Sequence, residues 1–383
     1  MISKYMISQF GSNNCSEYFL TIEVPPAGHS FLKIVDSIFN NFDNVCKEKK
    51  LGIKFLIYTK IYLSDISNQA NYICKYMEQN YKDIFYILVG QAPASGAKAA
   101  IEAYFCKPEN NFKIERDNSL NKVVVSHGQY LTVFGNLTTD LKSNSYEQTE
   151  ELLKNLSCQL SELGGNIKEN TLRTWFYIRD IDNNYHGMVR SRRELFEKEN
   201  MTKETHFIAS TGIGGCGPLP FSLVQLSYIL NFGLQKEQIE YMSAPENMNP
   251  THEYGVTFER GTKVTYGDRS HYYISGTASI DNKGNIVFQN DVLKQTERAL
   301  INIKALLSGY NADIDDLKIM IVYLRDYSDY QVVNNYLKGR FNGSIPYIIL
   351  NAPVCRPGWL VEIEGIAINN HKNDMYEDFC SLV

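Results

Sequence analysis

The chain has 383 residues, 44% of them apolar and 21% charged, the make-up of a globular protein with room for two or three domains and a sizeable core. A formal net charge of −5 without any basic block argues against nucleic acid as a partner, so an anionic substrate would need a few local arginines to hold it. No apolar run approaches the ~20 residues of a bilayer span and the first residues lack a signal-peptide pattern, so a cytoplasmic protein with no membrane attachment is expected.

The first predicted element is an amphipathic helix, with Ile34, Val35, Ile38, Phe39 and Phe42 on one face. A β-rich run, KFLIYTKIYLSDIS at 54–67, follows it. Next come a helical segment at about 66–81 and the strands IFYILVG and AAIEAYF. The order then repeats. QYLTVFGNLTTD reads as strand, and Leu152, Leu153, Leu156 and Leu160 mark a helix face. RTWFYIRDIDNN at 173–184 is the next β-rich run, followed by a helix at about 184–199 and the strands THFIAST and FSLVQLSYI. A third round gives HYYISGTASID, a helix marked by Leu293, Leu300, Ile303 and Leu307, and the run KIMIVYLRDYSD at 318–329. A helix at about 328–341 and the strands YIILNAP and LVEIEGIAI close it.

Each central run ends in Tyr–aliphatic–x–Asp: Tyr62 to Asp65, Tyr177 to Asp180 and Tyr323 to Asp326. Matched flanks around a shared element indicate three diverged copies of one α/β (α+β) unit, each a mixed sheet with two helices on one face. The bare face of each sheet needs cover, and the other two sheets supply it most economically. The expected fold is therefore a pseudo-trimer with sheets inside and helices outside. Its units are placed at 1–115, 116–245 and 246–383, where polar stretches mark the joints. The eight cysteines are scattered without a CxxC pair or zinc spacing and read as reduced, mostly buried thiols. No metal or organic cofactor is implied.

This pattern resembles the reactive-intermediate deaminase (RidA/YjgF) superfamily, whose members are homotrimers with sites in the clefts between subunits. The closing strand, Leu360 to Ala367, carries the likeness best. A narrower resemblance is to the chorismatases, on motifs in matching order: TWFYIRDI at 174–181, YHGMVRSRRELF at 185–196, ASTGIGG at 209–215 and EYGVTFER at 253–260. ISGTASID at 274–281, DVLKQTE at 291–297 and APVCRPGWLVEIEG at 352–365 complete the set. The resemblance implies hydrolysis of the enolpyruvyl ether of chorismate to pyruvate plus 3-hydroxybenzoate or a dihydroxycyclohexadiene carboxylate. An internal pseudo-trimer would stand in for the homotrimer and let the chain work as a monomer.

That chemistry needs a carboxylic acid kept protonated, fixed cations for two carboxylates and a place for one water. Glu362 and Glu364 alternate onto one strand face, and the resemblance places the acid at Glu362. Burial beside an aromatic such as Trp359 would raise its pKa. Copy one has Ala100 at the matching place and copy two has no carboxylate there, so one active site per chain is expected. The resemblance assigns the clamp to Arg260 and Arg192; Arg340 and Arg356, which flank the last strands, are second choices. Thr211 and Gly212, in a glycine turn that is not a P-loop, could offer N–H groups to the substrate. Tyr254 is a further candidate donor. Cys355 matches a cysteine of chorismatases that form 3-hydroxybenzoate, where it assists aromatisation. Two other readings stay in view. An imine deaminase would carry an arginine in the stretch Ile345-Pro346-Tyr347, which has none, and a noncatalytic binding protein would have no need of Glu362 and its arginines.

Overall fold

A computed structural model of the chain describes residues 4–12, 14–25, 28–108, 112–117 and 120–381. The first unit contains β1 (Lys4–Gly11), β2 (Cys15–Glu23), α1 (Phe31–Glu48), β3 (Leu56–Leu63), α2 (Ile66–Asn80), β4 (Tyr86–Val89), β5 (Ala92–Pro93) and β6 (Ala99–Pro108). The second contains β7 (Phe112–Asp117), β8 (Lys122–His127), β9 (Tyr130–Leu137), α3 (Ser145–Glu162), α4 (Ile167–Asn170), β10 (Thr171–Ile178), α5 (Ile181–Lys198), β11 (Ala209–Gly214) and β12 (Val224–Phe232). The third contains β13 (Ile239–Met242), β14 (Gly261–Thr265), β15 (Ser270–Ala278), α6 (Val292–Ser308), β16 (Leu317–Leu324), α7 (Tyr330–Phe341), β17 (Tyr347–Asn351) and β18 (Val361–Asn369).

The three sheets share one strand order. The final strand of each unit lies beside the central run: β6 against β3, β12 against β10, β18 against β16. The central run then pairs in parallel with the strand after its crossover helix: β3 with β4, β10 with β11, β16 with β17. This shared topology establishes the threefold internal repeat. The joints differ from the expected ones at two strands. β7 pairs with β8 inside the second sheet, so a boundary at 115 cuts it, and β13 pairs with β14 inside the third sheet although it precedes 246. Composition marks the polar joints, whereas strand pairing decides which sheet an edge strand joins.

Alternation along the central runs sorts side chains between two environments. On β10, Trp175 and Tyr177 face a shared interior, whereas Phe176 and Ile178 pack under the helices of their own unit. On β3, Tyr58 and Tyr62 face the same interior, and Ile61 and Leu63 face α1 and α2. The sheets are therefore inside and the helices outside. Tyr62, Tyr177 and Tyr323 are fully buried, and Tyr62 lies near enough to the other two for each to push its pKa up further, after burial and the charge of Glu102. The aspartate that follows serves the next helical turn. Asp65 accepts from the Asn68 amide at 3.3 Å and Asp326 from the Ser328 amide at 2.8 Å. Asp180 differs, adopting a left-handed conformation with φ 47° and no side-chain cap.

The units are stitched at their seams. β5 leaves the first unit to pair with β17 of the third, and Ile213 of the second bridges to Val354 of the third. No helix among the described residues is long and apolar enough to cross a membrane.

Candidate active site

Glu362 and Glu364 enter the interior from the same face of β18, and neighbours sort them into different roles. Both are buried. The Glu364 carboxylate accepts from Arg173 Nη2 at 2.8 Å, Trp175 Nε1 at 2.8 Å, Tyr323 Oη at 2.9 Å and the Thr211 hydroxyl. Four donors on two oxygens saturate it. Glu362 instead borders a cavity of about 240 Å³ between the second and third units. Its pKa is raised to about 8, chiefly by burial and then by the charge of Glu364, with Arg173 and Arg260 partly offsetting this. Two carboxylates two residues apart thus divide into a saturated acceptor and a proton-holding acid.

Gly276 makes room for the acid. A Cβ on it would lie 2.0 Å from Glu362 Oε1. Gly276 falls in a register shift between Ile274 and Thr277, where β15 bulges against β18. The bulge and the missing side chain together let the carboxyl lie against backbone.

Two guanidinium groups reach the cavity from opposite units. Arg192 lies on α5 in line with Met188 and Phe196, all buried, so its place on an apolar helix face turns it inward. Its Nη1 donates to Ser210 Oγ at 3.2 Å. Arg260, just ahead of β14, donates from Nη2 to the Asn249 carbonyl at 2.9 Å. Cys355 lines the same cavity. Burial and the charge of Glu362 push its thiol up to about 12, against a hydrogen bond with Tyr185, so it carries a proton at neutral pH. Trp359 is 6% exposed, and its Nε1–H has no hydrogen-bond partner among the described residues.

The structure brings Glu362, Arg260, Arg192, Cys355 and Gly212 around one cavity. It places Thr211 behind it. That hydroxyl accepts from Arg173 and from the Gly276 amide while donating to Glu364, so it braces the acid's neighbour and has no lone pair left for a ligand. Arg340 lies on the exposed face of the last turn of α7 and does not line the cavity, because the inward face of that helix is taken by Val333, Leu337 and Phe341. Arg356 does line it, with its guanidinium 5.0 Å from the Trp359 ring centre. Tyr254 ends a short turn, Thr251–Tyr254, and its side chain lies outside the described residues. Sequence reasoning missed Arg173. Its signal was available, because it alternates with Trp175 and Tyr177 on a strand whose inner face is otherwise aromatic.

The register fixes which unit carries the acid. Opposite the repeated tyrosine stand Ala100 in the first unit, Gln225 in the second and Glu362 in the third.

A family model described as Endoribonuclease L-PSP matches residues 264–369. A RutC family protein of Saccharolobus solfataricus is 33% identical over 111 residues, covering 29% of this chain and 79% of that protein. A 3-hydroxybenzoate synthase of Streptomyces hygroscopicus is 27% identical over 224 residues, 52% of this chain. The match spans 64% of that synthase's length. A crystal structure of a chorismatase aligns over 96% of this chain and 98% of its own, with a TM-score of 0.63 and 16% identity, a likeness of fold.

Proposed function

For a chain that belongs to the RutC family through its third unit, we propose hydrolysis of chorismate at the cavity between the second and third units. The observation that carries the reading is Glu362, a buried acid with a pKa of about 8, beside a cavity that Arg192 and Arg260 enter from the two units. Chorismate carries two carboxylates and an enol ether. The guanidinium groups pair with the carboxylates, and their planar forks hold charge at any pH. The Glu362 carboxyl delivers its proton to the vinyl CH₂ carbon, leaving an oxocarbenium ion and the Glu362 carboxylate. Water adds to the cationic carbon and returns a proton to the Glu362 carboxylate, which restores the acid. The hemiketal then collapses to pyruvate and a dihydroxycyclohexadiene carboxylate.

Loss of one water from that diol gives 3-hydroxybenzoate. Cys355 is assigned to this second stage, as a protonated thiol beside Tyr185 and Glu362. The kinship with a 3-hydroxybenzoate synthase supports that product over the diol. Pyruvate release from chorismate, read with lactate dehydrogenase and NADH, tests the first stage, and absence of pyruvate at micromolar protein would reject it. Liquid chromatography of the aromatic fraction tests the second.

A further inference from the structure

Three cysteines far apart in sequence meet in the interior, and none of them borders the cavity described above. Cys15 opens β2, Cys106 lies on the neighbouring β6, and Cys380 comes from the C-terminal segment beyond β18. All are buried free thiols, with their sulfurs within 4.8 Å of one another. Cys15 Sγ lies 3.1 Å from Cys106 Sγ.

The surroundings hold the third thiol in place. The Phe379 amide donates to Asp268 Oδ1 at 2.8 Å, its carbonyl meets His127 Nδ1, and the Gly267 amide donates to the Glu377 carbonyl at 2.8 Å. A buried cation stands beside the cluster. Arg269 donates to the Cys15 carbonyl at 3.0 Å and to Glu17 Oε1 at 2.6 Å. A small cavity of about 10 Å³ borders Cys106, His127 and Phe379.

We propose that Cys15, Cys106 and Cys380 form a three-thiolate site for one soft d¹⁰ metal cation, which clasps the C-terminal segment to the sheet of the first unit. A metal–sulfur bond of about 2.3 Å sets three sulfurs of a trigonal site about 4 Å apart, a spacing that the cluster reaches by a shift of less than about 1 Å. Thiolate ligands select Cu(I) and Zn(II) over harder ions. Among the described residues no further His, Cys, Asp or Glu joins the group, and Cu(I) is the cation that accepts three donors most readily. His127 is already engaged through both ring nitrogens, with Phe379 and Thr132. Binding moves three thiol protons to solvent and forms three metal–sulfur bonds, with no change of oxidation state.

The test uses the reduced, metal-free full chain, titrated with Cu(I) under bicinchoninate competition and separately with Zn²⁺. The expected result is one tightly held equivalent of at least one of the two ions, a higher Tm in the loaded protein, and a sulfur-only coordination shell by X-ray absorption. Cys380→Ser and Cys106→Ser should each weaken binding at least about a hundredfold, while Cys158→Ser, at an exposed thiol, leaves it unchanged. The absorption spectrum is read on the wild type, so it decides the matter even if a variant misfolds. Failure of both ions to bind more tightly than to Cys380→Ser would overturn the proposal. So would a Cys15–Cys106 disulfide in purified protein whose reduced form binds neither ion.

Discussion

Replacing Glu362 by Gln keeps the shape of a protonated carboxyl but removes its proton, so the substitution separates catalysis from folding. In the folded chain the acid titrates at about 8, against an ordinary value of 4.5. Between those values the unfolded chain has lost the proton and the folded one keeps it, so stability falls as pH rises through this window. The cost is about 1 kcal/mol at pH 5, about 3 at pH 7 and about 4 at pH 8. Glutamine escapes it. Glu362→Gln should therefore be more stable than wild type at pH 8 by several degrees in Tm, at about 1 °C per 0.8 kcal/mol for a chain of this length, and nearly level with it at pH 5. Turnover should fall by at least the ~10²–10⁴-fold of a lost general acid. Scanning calorimetry at pH 5 and 8 and the coupled pyruvate assay give the two readouts. A Tm difference that does not change with pH, or a variant that turns over chorismate like wild type, would refute the reasoning.

The same pKa predicts the wild-type pH profile: kcat/KM holds below about pH 8 and drops tenfold per unit above it, because the proton is lost there; a rise above pH 8 would contradict the acid role. Gly276→Ala forces a methyl within 2.0 Å of Glu362 Oε1, so turnover should fall at least about a hundredfold with circular dichroism unchanged. Trp359→Phe removes a buried N–H that has no hydrogen-bond partner among the described residues, so stability should hold or rise while KM increases about tenfold, the worth of one hydrogen bond. Arg173→Met leaves the Glu364 carboxylate without its guanidinium, and urea unfolding should show a loss of about 3–5 kcal/mol, much of it recovered by adding Glu364→Gln. In Cys355→Ala, chromatography should show the diol gaining at the expense of 3-hydroxybenzoate while pyruvate release persists.

The sequence alone determined the repeat, because helix and strand periodicity are local and survive divergence. Tyr62, Tyr177 and Tyr323 recur near the ends of the three central runs, each with an aspartate three residues on. Alternation put Glu362 and Glu364 on one strand face, while the choice of Glu362 as the acid and of Arg192 as a clamp came from the family resemblance. Edge strands had to choose a sheet, and pairing put β7 in the second and β13 in the third. What tertiary structure decided is everything that depends on distance across units. Glu362 and Glu364 look alike along β18, and only Arg173, Trp175 and Thr211 of the second unit, with Tyr323, saturate one and leave the other to hold a proton. Thr211 and Arg340 were plausible from motif and position, yet packing put one behind the cavity and the other on the surface. The cysteines at 15, 106 and 380 carry no spacing signal, because their convergence is made by sheet pairing and by the return of the C-terminal segment. Repeat periodicity is written residue by residue, whereas the environment that sets a pKa or gathers three thiols is made by segments that only folding brings together.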